Sequence, residues 1–320
     1  MLSVCEEGVV NLSSASWVDR IFKGITLLAA SAVVAILIAI ILELYTQSSF
    51  SIDKFGFSFI TSTDWNPVTG EYGALPFIFG TIVSSFIAIL IAVPISVGVA
   101  VFLTEIAPRW LSTPIGFLVE LLAAIPSVIY GLWGIFVFVP FVRNYIQLPL
   151  QDVLGWMPLF SGPPLGIGML SAGLILAIMI IPIITAISKD IISSVPILQR
   201  EGALALGATK WETIKFAVLP YAKTGILGGI ILGLGRAIGE TMAVTMVIGN
   251  RAEIKTSLFA PAHSMAAVIA NEFTEATEDV YLSALIEIGL LLFLVTFVLN
   301  GLARFFIWSV ARGPRGGIRQ

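Results

Sequence analysis

Six stretches of the chain are apolar, nearly free of charge, and long enough as helices to cross a hydrocarbon core of about 30 Å at about 1.5 Å per residue. They fall at Gly24–Leu42, Ala74–Leu103, Pro114–Phe141, Ile167–Ser188, Ala222–Ile248 and Val280–Phe306, with polar segments between them. The pattern predicts an all-α, polytopic membrane protein with six transmembrane helices. The first run is too long for a signal-peptide core and no A-x-A cleavage signal follows it, so it is expected to remain as an anchor. In the second, thirty residues pass without a charge and Pro94 sits within them, which predicts a tilted or broken helix. Pro182 has the same potential to kink the fourth. Segments 45–73, 143–166 and 251–279 are expected to be extramembrane loops, the last with a solvated acidic cluster of Glu272, Glu275, Glu278 and Asp279.

The most informative stretch is Arg200 to Asn250. Its first half predicts a helix over 197–206, a break at Gly207, and a second helix capped by Thr209 in a T-x-x-E capping box with Glu212. That is a helix-turn-helix outside the bilayer. In the fifth apolar run the charges after Lys223 are Arg236 and Glu240. At 100° per residue, Gly225, Gly229, Gly233, Arg236 and Glu240 share one narrow arc of a continuous helix near mid-span. Small residues at this spacing let a second helix approach closely, so the face should meet protein or an aqueous path. An Arg facing lipid at mid-membrane would cost at least ~2.5–3.5 kcal/mol. Two readings of the pair stand: an intramembrane salt bridge that fixes packing, or a mark of a substrate path.

Composition excludes several classes. The chain is 58% hydrophobic and 12% charged, with a mean hydropathy of +1.01, far from the balance of a soluble domain. A single Cys, Cys5, excludes an intramolecular disulfide framework, and a single His, His263, excludes a His/Cys metal cluster. A net charge of -3 without a basic block gives no indication of a nucleic-acid partner. What matters is where the charges lie relative to the membrane. Arg20, Lys23, Arg109, Lys189, Arg200, Lys210, Lys215, Lys223, Arg304, Arg312, Arg315 and Arg319 fall on one side, against Lys54, Arg143, Arg251 and Lys255 on the other. This bias predicts that both termini and the 189–223 segment are cytoplasmic, and that the loops around Trp65 and His263 are external.

The 200–220 segment resembles the cytoplasmic motif of the permease subunits of bacterial ABC importers, E-A-A-x-x-x-G followed after nine residues by I-x-L-P. Glu201, Ala203, Gly207, Leu219 and Pro220 occupy its positions, while Gly202 replaces the first Ala and Ala217 the Ile. The runs GLGRAIGETMAV and ELLAAIPSVIYGLWG look like the phosphate-specific permeases, more like the PstC-type than the PstA-type subunit, over roughly residues 74–310. The resemblance implies a type I ABC importer permease-like fold in the bacterial inner membrane. It implies a heterodimer with a PstA-like sister permease, two copies of a PstB-like cytoplasmic ATPase, for which the motif is a dock, and a PstS-like external phosphate-binding protein. It also carries a substrate-path role onto Arg236 and Glu240. The domain division expected is 1–73 for the tail, first helix and external loop, 74–310 for the permease core with its coupling segment at 189–221, and 311–320 for a cytoplasmic tail.

No G-x-x-x-x-G-K-[ST] phosphate loop is present, so ATP and Mg are expected to act on the partner ATPase, with no cofactor held by this chain. No nucleophile–base pair or metal ligand set suggests an enzyme. Alternatives are a permease for another oxyanion such as sulfate or molybdate, and a secondary transporter in which Glu240, Glu120 and Glu287 relay protons. Packing is the competing role for Glu120 and Glu287.

Overall fold

The structure is a computed structural model that describes residues 12–311. Expectations resting on Cys5, Arg312, Arg315, Arg319 and the tail from 312 on lie outside the described residues. Among the described residues the chain is helical, without a strand, and Asn66 and Glu71 form an isolated antiparallel bridge. Among the described residues, six helices are long and apolar enough to cross a membrane: Trp17–Gln47, Leu75–Ile106, Ser127–Leu154, Met169–Ser193, Lys210–Gly239 and Asp279–Phe305, called spans 1 to 6. Span 1 belongs to a unit ending at Gln47, and the chain from Ser48 forms a second unit. Segment 48–73, which the sequence groups with the N-terminal part, thus packs inside the second unit.

Span 4 is the centre of that unit. Ile175, Leu176, Met179, Ile180 and Ile184 are buried in one core with Ile87, Ala88 and Ala92 of span 2, Phe138 and Val139 of span 3, and Ala237 of span 5. The glycine stripe on span 5 is what permits this packing. A Cβ at Gly225, Gly229 or Gly233 would lie 2.6, 3.0 or 2.8 Å from Ile191, Ile187 and Ile184 of span 4. The expected close approach of a second helix is therefore realised, and the stripe meets protein.

Three boundaries differ from the apolar pattern. The run Pro114–Phe141 divides: one helix covers Arg109–Ala123, and span 3 starts at Ser127 and continues to Leu154. Pro126 is the cause, because its ring holds the preceding residue away from the α region. The segment 143–166 is accordingly helical up to Leu154 before it becomes a loop. Span 4 runs one turn past Lys189 and Asp190 instead of closing there. Pro94 and Pro182 sit within uninterrupted α-helices.

Other prolines act on the helices differently. Four π-helical turns occur among the described residues, at Phe102–Ile106, Gly134–Phe138, Arg143–Gln147 and Ile214–Val218. Each is followed two positions later by a proline: Pro108, Pro140, Pro149 and Pro220. Proline donates no N–H and crowds the carbonyl four residues back, and a turn widened to i→i−5 moves that carbonyl aside.

The loop after the short helix Met242–Val247 folds back into the protein: Ala262, His263, Ser264 and Met265 are buried. The His263 carbonyl seats directly on Gly80 of span 2, where a Cβ would collide with it. The His263 ring meets Phe77 edge-on at 5.3 Å, and its Nδ1 accepts from the Ser264 N–H at 3.1 Å. Glu272, read as part of a solvated cluster, accepts from Trp65 Nε1 at 2.8 Å and Tyr281 Oη at 2.6 Å.

Candidate functional site

Two places carry the functional reading. The first is the turn between spans 4 and 5. Helix Ile197–Ala205 ends in a paired closure: Gly207 adopts φ +84°, its N–H donates to the Leu204 carbonyl at 2.9 Å, and the Ala208 N–H donates to the Ala203 carbonyl at 3.1 Å. This is the 6→1, 5→2 pattern that a left-handed residue after a helix makes possible. Two residues later the capping box forms as expected, with Thr209 Oγ1 accepting from Glu212 N–H at 3.3 Å and Glu212 Oε2 accepting from Thr209 N–H at 2.8 Å. The geometry of the turn is fixed by bonds within a dozen residues.

Beneath the turn lies its own apolar seat. Val195, Ile214, Val218 and Ala222 pack with Ala100 and Val101 of span 2 and Ile192 of span 4. Above it, Leu198, Leu206 and Trp211 are 75%, 91% and 62% exposed. Large side chains that a rigid turn holds outward make an apolar surface suited to a protein groove. Of the motif residues, Glu201, Gly207 and Pro220 are exposed, and Ala203 and Leu219 are half-buried.

Sequence reasoning missed the tie that holds this turn in place. Arg200 Nη2 lies 2.8 Å from Glu105 Oε1 at the end of span 2. The same guanidinium donates to the Ile192 carbonyl at 2.9 Å and to the Val195 carbonyl. Ninety-five positions separate the two charges, so no local spacing announces the pair. A second tie joins Lys189 to Glu120 at 3.2 Å, but Glu120 is 59% exposed, and such pairs contribute little.

The second place is the end of span 5, where the expectation of one continuous helix is corrected. The helix stops at Gly239, Glu240 takes an extended conformation (φ -69°, ψ 125°), and a short helix, Met242–Val247, follows. Gly235 and Gly239 weaken the helix here. Arg236 and Glu240 consequently do not share a helical face at mid-span: Arg236 lies in the last turn of span 5, and Glu240 lies beyond its end. Neither do they form an ion pair. Glu240 is buried, and its Oε1 accepts from the Ala243 N–H at 3.5 Å. Arg236 is half-buried, and its Nε is a buried donor without a partner. Buried donors are nearly always paired, and this one has no acceptor among the described residues.

Glu287, in span 6, is buried with one carboxylate oxygen unpartnered. It lies in a different helix from Arg236 and Glu240, and Glu120 lies in the Arg109–Ala123 helix.

Comparison with known proteins places these features in a lineage. The family described as binding-protein-dependent transport system inner membrane component matches residues 92–311. Phosphate transport system permease protein PstC of Mesorhizobium japonicum is 50% identical over 296 residues, covering 91% of this chain and 90% of the relative. Its counterpart in Pasteurella multocida is 50% identical over 299 residues, 92% and 93% of the two chains. PstC 2 of Mycobacterium tuberculosis is 39% identical over 307 residues, 93% of each. Among solved structures, an inward-facing MetNI methionine ABC transporter chain aligns with a TM-score of 0.51 at 19% identity, covering 75% of this chain and 95% of that one. That likeness supports the fold of an ABC importer permease. The chain belongs to the binding-protein-dependent transport system inner membrane components, as a multi-pass permease of the PstC line.

Proposed function

We propose that this chain forms part of the membrane path of an ATP-driven inorganic phosphate importer. It pairs with a sister permease in a complex holding two copies of a cytoplasmic ATPase, docks the ATPase through 189–221, and receives phosphate from an external binding protein. Both termini are cytoplasmic. ATP and Mg belong to the ATPase, and the chain itself binds no cofactor. The observation that carries this reading is the rigid, outward-facing turn around Gly207, in a chain that shares half its sequence with phosphate permeases. A self-powered carrier has no use for such a dock.

Within the path, Arg236 is the anion contact. A guanidinium stays charged, presents a planar fork to two oxygens of an oxyanion, and here has an unpartnered donor. Glu240, at the break beyond it, limits how tightly the anion is held, so that passage does not become a trap. Glu201, Ala203, Gly207, Leu219 and Pro220 form the coupling surface.

The test is uptake of radiolabelled phosphate by proteoliposomes holding the assembled complex, with ATP inside the ATPase-facing compartment. ATP-dependent uptake that survives an uncoupler is the expected result. Uptake that needs no ATP and collapses with the proton gradient would instead indicate a proton-coupled carrier, and transport of sulfate in place of phosphate would change the substrate.

A further inference from the structure

Beyond the short helix Met242–Val247 the chain turns at Gly249 and Asn250, with φ of +97° and +50°, and the following loop closes on segment 161–167 around a cavity of about 750 Å³. Six helical residues rise about 9 Å, so the cavity lies one short helix beyond Glu240. Its walls are pinned to each other. The Leu258 N–H donates to the Leu159 carbonyl at 2.8 Å, the Leu170 N–H to the Leu258 carbonyl at 2.8 Å, and the Met169 N–H to the Ala260 carbonyl at 3.1 Å. Ser257 Oγ donates to the Ser161 carbonyl. A volume of this size with fixed walls is what a preformed small-molecule site has.

The lining is mostly apolar, with Pro163, Leu165, Ile167 and Ile254, and it includes Arg251, Lys255 and Thr256, all three of them exposed. No acidic residue lines it. Lys255 is held at 2.6 Å by Glu253, which is not among the lining residues and whose carboxylate is also stabilised by the charge of Arg251. A few polar and cationic groups on an apolar wall can fix the orientation of a ligand, and a guanidinium fork together with an ammonium selects an anion with several oxygens.

We propose that this cavity is a second anion site, holding a small tetrahedral oxyanion between Arg251 and Lys255 before it reaches Arg236. The proposal rests on the transport reading above and adds a staging point to it. Glu253 neutralises Lys255 while the cavity is empty and yields it when the anion enters. The anion then has one helix length to travel between fixed positive charges, which keeps each binding step shallow enough to leave.

The experiment uses the assembled transporter in nanodiscs, with Cys5→Ser and an environment-sensitive fluorophore at Ile254→Cys. It is titrated with inorganic phosphate and then with inorganic sulfate at constant ionic strength, and uptake of both anions is measured alongside. A saturable fluorescence change is expected, its midpoint weakened at least tenfold in Arg251→Gln/Lys255→Gln. Arg236→Gln is expected to keep the titration and lose uptake. Absence of a saturable change with either anion, or an unaltered midpoint in the double variant, overturns the site. A signal that appears only on adding the binding protein also overturns it, since the cavity would then be a docking face. Phosphate uptake with a silent cavity leaves the transport reading standing and removes the staging site. A cavity that titrates with sulfate in a transporter that carries sulfate keeps the site and removes the phosphate assignment.

Discussion

Arg200 and Glu105 meet at 2.8 Å, so the turn between spans 4 and 5 is fastened to the end of span 2 as well as to its own two helices. Movement of the turn by a docked protein would thus reach three spans together. Breaking a partly buried charge-assisted contact costs on the order of 1–3 kcal/mol. Glu105→Gln, with nearly the same shape and no charge, is expected to leave membrane insertion intact while lowering uptake several-fold per ATP hydrolysed. Parallel measurement of ATPase rate and uptake on the purified complex checks this, and an unchanged ratio would show that the tie is only structural.

The two glycines of the coupling segment should behave oppositely. Gly202 is exposed within the helix, and an added Cβ there meets nothing within 4 Å. Gly202→Ala should be neutral or stabilising by roughly 0.5–1 kcal/mol. Gly207 is equally open but holds φ +84°, where a β-branched side chain is strained by roughly 1–2 kcal/mol or more. Gly207→Val should reduce ATPase co-purification, and Gly207→Asn, which tolerates left-handed backbone, should retain most of it. Equal co-purification by all three variants would separate the dock from this turn.

Because Arg236 and Glu240 are not paired, exchanging them should not restore function. Arg236→Gln is expected to abolish uptake at normal expression, and Arg236→Lys to retain a minor part of it, since the charge remains without the fork. Glu240→Gln keeps an acceptor for the Ala243 N–H and should be milder than Glu240→Ala, which removes it. Uptake normalised to inserted protein is the readout. Recovery of transport in Arg236→Glu/Glu240→Arg would reinstate a structural salt bridge.

His263 gives the protein a dependence on acid. Burial lowers its pKa from 6.5 to about 4. The folded state keeps the imidazole neutral while the unfolded chain takes up a proton below pH 6.5, so stability is fully present above that pH. It declines as pH falls toward about 4, by about 1.4 kcal/mol per pH unit at most. The Tm of the solubilised complex should therefore drop between pH 7 and pH 5. In His263→Gln that drop should shrink, and an identical slope in the variant would assign the acid sensitivity to other groups.

How much of this was visible in the sequence depended on how locally each feature is decided. The turn at Gly207 and the Thr209–Glu212 box were legible because a dozen neighbouring residues determine them. The glycine stripe was legible in the same way, since Gly225, Gly229 and Gly233 recur with the period of a packed face. The break at Glu240 was hidden because the apolar run continues across it to Ile248, and composition does not distinguish one helix from two end to end. Span 3 was displaced for a similar reason: hydropathy crosses Pro126, whereas the backbone does not. The ends of long-range contacts, such as Arg200 with Glu105, Lys189 with Glu120 and the His263 carbonyl against Gly80, leave no mark in any single window of sequence. Arg236 was identifiable as a residue out of place in a membrane, but its lack of a partner was not.

The wide turn at Ile214–Val218, which Pro220 follows, sets the phase between the coupling surface and everything downstream. Each extra residue in a helix rotates what comes after it by about 100°. Removing one residue there would tighten the wide turn against Pro220, whose missing N–H still leaves one carbonyl of the ladder without its partner. The glycine stripe of span 5 would then turn away from Ile184, Ile187 and Ile191, and Arg236 would point elsewhere. In this part of the chain, the number of residues between the dock and the membrane aims the helix.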